Sequence, residues 1–235
     1  MPNCKRSVIL AVGDIHAPFM HRDAVAFLRA MSRELKPTQT ILMGDVADQH
    51  CLSRFVRNPS GLSGGHEFKA ARRQLAPLYD LFPKVAVCWG NHDRRLYDRA
   101  AEVGIPEETI QPMAGVLEHP DAWEWRDRWE FDGVTFEHGT GWSGAQAHVK
   151  AATANMGPVV IGHIHAHAGV AYIANRKHLF WGFNVGCLID HESYAFAYAK
   201  SISSKPIVGV GVIENGVPRF VPMVLSRGGR WKGAL

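Results

Sequence analysis

"VILAVGDIH", residues 8–16, is an apolar run that stops at a glycine and hands over to an aspartate and a histidine. The same device returns as "TILMGDVAD" at 40–48, as "VAVCWGNHD" at 85–93 and, later, as "VVIGHIH" at 159–165. Short unbroken apolar runs closed by glycine read as strands buried on both faces. Between them lie stretches with helical spacing: "DAVAFLRAMSREL" at 23–35, "FKAARRQLAPLYDLF" at 68–82, and "RRLYDRAAEVG" at 94–104, whose final Gly104 suits a helix end. Strand–helix alternation of this kind argues for a parallel-type sheet with helices on its faces.

The second half changes character. "WEWRDRWEF" at 123–131 and "GVTFEHG" at 133–139 alternate like strands around the hairpin signal Asp132–Gly133. "GAQAHVKAATANMG" at 144–157 reads as the last helix. Strand-like runs then follow at 169–174, 178–183, 206–214 and 217–225, with Asn215–Gly216 as a second hairpin turn. No internal repeat and no long linker divides the chain, so residues 1–235 read as a single domain. The loop "RNPSGLSGG" at 57–65 and the tail at 226–235 read as mobile.

Composition is that of an ordinary globular protein, 46% hydrophobic and 20% charged. The net charge of +4 is too small to imply nucleic acid, but it is unevenly spread. Residues 101–145 carry 2 Lys/Arg against 10 Asp/Glu, whereas both flanks are basic, so one face could be positive. Cys4, Cys51, Cys88 and Cys187 are widely spaced and form no CxxC pair. Reduced thiols and a cytoplasmic setting are therefore expected. No apolar stretch reaches the roughly 20 residues needed to span a bilayer, and no membrane partner is expected.

Each glycine-ended strand delivers polar residues of one chemical type. "GDIH" supplies Asp14 and His16, "GDVAD" supplies Asp45 and Asp48, and "GNHD" supplies Asn91, His92 and Asp93. "EHG" adds His138 and "GHIH" adds His163 and His165. Ligands of open α/β sheets bind outside the carboxyl ends of the strands, so these side chains could converge on one site. Gly13, Gly44, Gly90 and Gly162 would permit the turn that aims each group into a cleft. In an extended "GHIH", His163 and His165 would point the same way, with Ile164 opposite. A mix of His, Asp and one Asn amide suits Mn, Fe, Co, Ni or Zn. Chance accounts for one such motif, since the chain has 13 histidines, but not for the whole ordered set.

The run D-x-H, G-D-x-x-D, G-N-H-D, H, G-H-x-H, spanning Asp14 to His165, resembles that of the calcineurin-like metallophosphoesterases. The resemblance implies an α/β fold, a four-layer α/β/β/α sandwich of two mixed β-sheets flanked by helices. It also implies two divalent metal ions, manganese foremost. Asp14, His16, Asp45 and His165 would hold one; a shared Asp45 with Asn91, His138 and His163 would hold the other. His92 would face the substrate as a catalytic group, oriented by Asp48, and His167 lies outside the pattern. Two such ions share a water, lower its pKa and aim the hydroxide at phosphorus, so no side-chain nucleophile is needed.

The substrate is less sharply marked. Ser/Thr phosphatases of this superfamily carry Asp-Arg-Gly in the second motif and Glu after "GNH", where this chain has "DQH" at 48–50 and Asp93. It is similar instead to small bacterial and phage phosphodiesterases. Arg54, Arg57, Arg94 and Arg95 are candidates to meet a polyanion, and Trp142 to stack on a base or wall the pocket. The reading is a phosphodiesterase acting on nucleotides or nucleic-acid ends, with a nucleotide or single-stranded nucleic acid as its partner. The alternatives are a phosphomonoesterase or pyrophosphohydrolase on a small metabolite, and a silent metal- and nucleic-acid-binding protein.

Overall fold

The computed structural model describes residues 6–198 and 204–235; Cys4 lies outside the described residues. The first half builds β1 (Val8–Val12), α1 (Ala24–Leu35), β2 (Gln39–Leu42), α2 (Gly64–Leu81), β3 (Val85–Cys88), α3 (Arg95–Glu102), α4 (Met113–Leu117) and β4 (Trp123–Arg126). The second half adds β5 (Arg128–Phe131), β6 (Val134–Glu137), α5 (Ala147–Asn155), β7 (Val159–Ile161), β8 (Gly169–Ala174), β9 (Leu179–Asn184), α6 (His191–Ala197), β10 (Gly209–Glu214) and β11 (Val217–Pro222).

Two mixed sheets result, ordered β11-β10-β1-β2-β3-β4 and β5-β6-β7-β9-β8. Strands β1 to β4 run parallel, as do β6, β7 and β9, so their carboxyl ends share an edge within each sheet. Alternate residues of β1 explain the layers. Val8, Leu10 and Val12 face the helices with Phe27, Leu28, Leu75 and Leu78. Ile9 and Ala11 face the second sheet, packing in one cluster with Phe136, Val160 and Phe183. On the far face of that sheet, Ala147, Ala151 and Ala152 of α5 pack with Val159 and Ile161. Helix, sheet, sheet, helix is the four-layer order that the family resemblance implies.

Three features depart from the sequence reading. The alternating run 123–131 is not one strand of a hairpin: it is split at Asp127, with β4 closing the first sheet beside β3 and β5 pairing with β6 in the second. A period of two survives such a step, so alternation alone does not reveal it. Helix α5 is not the last; α6 follows after β9. The stretch 226–235, read as a mobile tail, returns along α1. Leu225 bridges to Trp231, whose ring meets Phe27 edge-on at 5.6 Å. The expected hairpin turns do form, with left-handed Asp132–Gly133 and Asn215–Gly216 pairs.

Asp23 clasps that tail. Its carboxylate accepts from Arg230 at 2.7 and 2.8 Å and from the Trp231 amide at 2.9 Å. The hydrogen bond from Arg230 is the main reason its pKa falls from 3.8 to about 2. A depressed carboxyl pKa means that the clasp is complete above 3.8 and is lost as pH falls through about 2. Asp23→Ala is expected to raise amide exchange across 224–232 at neutral pH while β10 and β11 stay protected. Unchanged exchange in that segment would show that Trp231 packing alone holds it.

Candidate metal centre

The polar residues sit just past the strand ends, and the backbone there is unusual. Asp14, Asp45 and His163 themselves adopt left-handed φ values of 42°, 49° and 65°, and His16 one of 49°. Non-glycine residues avoid this region unless their surroundings hold them there. Of the four glycines expected to supply turns, only Gly44 has a positive φ, 94°. Gly90 is needed for a different reason: a Cβ there would run into the Asp45 carboxylate. These two glycines thus let the motifs pack against each other. The "GHIH" segment is likewise a turn, not an extended strand, since the Ile164 amide donates to the Gly162 carbonyl at 2.7 Å.

That turn sends the two histidines to different partners. His165 Nε2 lies 3.2 Å from both His16 Nε2 and Asp14 Oδ1, with Asp45 Oδ2 3.4 Å from His16 Nε2. His163 Nδ1 lies 3.2 Å from His138 Nε2, which also faces Asn91 Oδ1 at 3.1 Å and Asp45 Oδ2 at 3.3 Å. The seven residues therefore form two groups, Asp14–His16–Asp45–His165 and Asp45–His138–His163, with Asn91 joining the second. Asp45 belongs to both.

The donor set fits a pair of metal ions. Ligands about 2.0–2.2 Å from a common ion stand roughly 3.0–3.5 Å apart, the spacing of the closest pairs in each group. The ring tautomers agree. His138 Nδ1 donates to the Met43 carbonyl at 2.7 Å and His16 Nδ1 to Asp48 Oδ1 at 2.6 Å, which turns each Nε2 lone pair inward. Lone pairs converging in this way need a positive charge between them, either a proton or a metal ion.

Electrostatics point the same way. Burial alone would lower the pKa of His16, but the carboxylates of Asp14, Asp48 and Asp45 outweigh it and raise it to about 10. Burial likewise opposes the charged form of His138, and Asp45 leads the groups that raise it to about 9. Asp45 is held well below the carboxylate range: burial resists, and the His138 charge leads the groups that prevail over it. In neutral solution the metal-free chain thus keeps protons on His16 and His138 that an incoming ion must displace. Mn²⁺ affinity is expected to rise with pH through neutrality, with protons released on binding. Calorimetric titration in buffers of unequal ionisation enthalpy measures that release; a pH-independent affinity contradicts it.

Around this core the other expected residues find specific places. His92 Nδ1 lies 2.9 Å from Asp48 Oδ1, and its backbone amide donates to Asp45 Oδ1 at 2.8 Å. Asp48, expected only behind His92, is shared with His16. Asp93 is wholly buried and accepts from the Ala47 and Gly90 amides, tying the second motif to the third. The arginines are engaged within the protein. Arg54 pairs with Glu102, Arg57 donates to the Cys51 carbonyl, and Arg94 pairs with Asp127 while lying over the Trp89 ring. Arg95 reaches inward and donates to His92 Nε2 at 3.1 Å. Trp142 spends its N–H on Glu137 and walls the cleft.

Several residues at the site carry no motif. Gln49 joins the Asp93 carbonyl to the Leu96 amide, and the buried Glu67 of α2 accepts from the His50 and Cys51 amides just after the second motif. Tyr194 and Tyr198 close the site from α6 and the turn after it. Two clefts beside the centre share Asn91 and Asp98 on their walls. One, of about 550 Å³, is lined by Trp89, Arg94, His138 and Trp142; the other, of about 220 Å³, by Phe55, Arg54 and Arg95.

Among curated proteins, none matches the chain. Among solved structures it is similar to YfcE, a phosphoesterase from E. coli, at 14% identity and a TM-score of 0.45, covering 92% of each chain. It is similar to Vacuolar Protein Sorting 29 from Cryptosporidium parvum at 13% identity and a TM-score of 0.45, covering 89% of this chain and 85% of that one. It is also similar to the nuclease MPE of Pseudomonas putida at 14% identity and a TM-score of 0.39, covering 88% and 84%. The sequence profile of the calcineurin-like phosphoesterases matches residues 7–167, more than half of the chain and all of its ligand-bearing turns, and the chain belongs to that family.

Proposed function

We propose that this phosphoesterase is a two-metal phosphodiesterase acting on nucleotides or nucleic-acid ends. The observation that carries the reading is the pair of clefts that share Asn91. A phosphodiester has a substituent on each side of phosphorus, whereas a monoester has one and would use one cleft. The larger cleft is within the range of small-molecule sites, about 300–1,000 Å³, and its Trp142 wall offers a flat apolar face to a base. Phe55 lines the smaller cleft and suits the second substituent.

In this reading Asp14, His16, Asp45 and His165 hold one ion, and Asp45, Asn91, His138 and His163 the other. Bound there, divalent ions such as manganese supply Lewis acidity and a water of lowered pKa. The chain's own part is to place the phosphorus. Arg95 lines the smaller cleft, where a leaving group would emerge, and donates to His92 Nε2, while Asp48 fixes the His92 ring. The described cysteines, Cys51, Cys88 and Cys187, are unpaired, which supports a reducing cytoplasmic setting. Among the described residues no helix is long and apolar enough to cross a membrane.

Hydrolysis of bis-p-nitrophenyl phosphate, p-nitrophenyl phosphate and a short single-stranded oligonucleotide with added Mn²⁺ tests the proposal. The diesters are expected to turn over with the higher kcat/KM. Faster monoester hydrolysis would favour the monoesterase alternative, and no hydrolysis with two ions bound would favour a silent binding protein.

A further inference from the structure

Asp48 is wholly buried, and one of its oxygens faces two imidazoles. Oδ1 accepts from His16 Nδ1 at 2.6 Å and lies 2.9 Å from His92 Nδ1, which donates to the Asp48 main-chain carbonyl at 3.0 Å. The His16 bond and the close approach to His92 together set the rotation of the carboxylate about its Cβ–Cγ bond. The other oxygen, Oδ2, accepts from the Tyr198 hydroxyl at 2.9 Å. Arg95 Nη1 in turn donates to that hydroxyl oxygen at 2.9 Å and to the Asp48 carbonyl at 2.9 Å, while its Nη2 donates to His92 Nε2. The Tyr198 ring is seated against Tyr194, centroids 4.7 Å apart, and against His50 at 4.4 Å. Tyr194 is itself edge-on to His16 at 5.3 Å.

We propose that Tyr198 is a positioning residue for the metal centre. Its hydroxyl fixes Asp48 in the rotation that bonds His16 and faces His92, and it fixes Arg95 at the tip of His92. Tyr198 lies beyond residues 7–167, so a segment outside the family match supplies a control on the ligand group that contains His16. Without the hydroxyl, the guanidinium, now 3.8 Å from Oδ2, is free to draw the carboxylate around and off one of its histidines. Carboxylates that orient a metal-binding histidine are worth about 10–100-fold in metal affinity, and removing the group that orients the carboxylate falls at the lower end.

This inference rests on the two-metal reading, and its test needs no substrate. Tyr198→Phe removes one oxygen and keeps the ring contacts, so the metal-free melting temperature is expected to hold. Mn²⁺ titration, followed by the electron paramagnetic resonance of free Mn²⁺, should show two binding steps in the parent chain. In the variant one step should weaken by about tenfold and the other stay nearly unchanged. Asp48→Asn should weaken the same step, and the double variant should add nothing further, because the hydroxyl acts through that carboxylate. Two unchanged steps, an equal loss in both with a lowered melting temperature, or additive losses in the double variant would each overturn the role of Tyr198. A parent chain that binds fewer than two ions removes the two-metal reading itself, a different failure.

Discussion

Asp45→Asn is expected to lower phosphoester hydrolysis by at least about a hundredfold and to deplete both ions, because it is the residue common to the two ligand groups. The amide cannot serve both of its neighbourhoods. Oδ1 accepts the His92 backbone N–H at 2.8 Å, so an amide NH₂ placed there would set donor against donor. The side chain would turn its oxygen toward His92 and its NH₂, which cannot ligate a metal ion, toward His16 and His138, 3.4 and 3.3 Å away. It would also remove the charge that leads in raising His138 to about 9. Elemental analysis of the purified variant, alongside its rate with saturating Mn²⁺, decides the matter. Full occupancy of both sites with a rate within tenfold of the parent would show that Asp45 does not bridge.

His92→Ala is expected to keep its metals and to lose rate in a way that depends on the leaving group. His92 reaches Asp45 through its backbone amide and at 3.9 Å through its ring, and its Nδ1 is taken by Asp48, so it need not be a ligand. General-acid help is worth about 10²–10⁴-fold, and most for a poor leaving group. A nucleoside alkoxide needs a proton and a nitrophenolate does not, so the loss should be far larger on a dinucleotide than on bis-p-nitrophenyl phosphate. The geometry adds a condition. Arg95 donates to His92 Nε2, and burial, outweighing Asp45, holds the ring below its ordinary pKa, so His92 rests neutral. It must take up a proton, displacing Arg95, before it can give one. Equal slowing of both substrates would assign His92 and Arg95 to phosphate binding instead, and loss of metal would make His92 part of the ligand framework.

Much of the centre is legible in the amino-acid sequence alone. Buried parallel strands write themselves as unbroken apolar runs, and a glycine followed by Asp, Asn or His marks where each run gives way to chemistry. Those local signals are enough to collect Asp14, His16, Asp45, Asn91, His138, His163 and His165, and the order of the motifs carries the family and its layered fold. What they misjudge is the backbone between the signals. The positive φ values fall on Asp14, Asp45 and His163 more than on the glycines before them, and His163 and His165 diverge from a turn where alternation would have made them parallel.

Other features have no local signature. A seven-residue helix such as α6 is too short to show a period, and Tyr198 finds Asp48 across 150 positions of sequence. Arg230 finds Asp23 across 207. The arginines next to the motifs look available to a polyanion, and their partners Glu102, Asp127 and Tyr198 become visible only when the elements are packed. Local sequence determines backbone preference, burial period and the chemical type of a side chain, because these depend on a residue and its near neighbours. Which carboxylate is shared, which arginine is spent and which hydroxyl holds the centre in place were decided by tertiary structure alone, because hydrogen bonds reach only about 3 Å and distant segments meet at that range only in the folded chain.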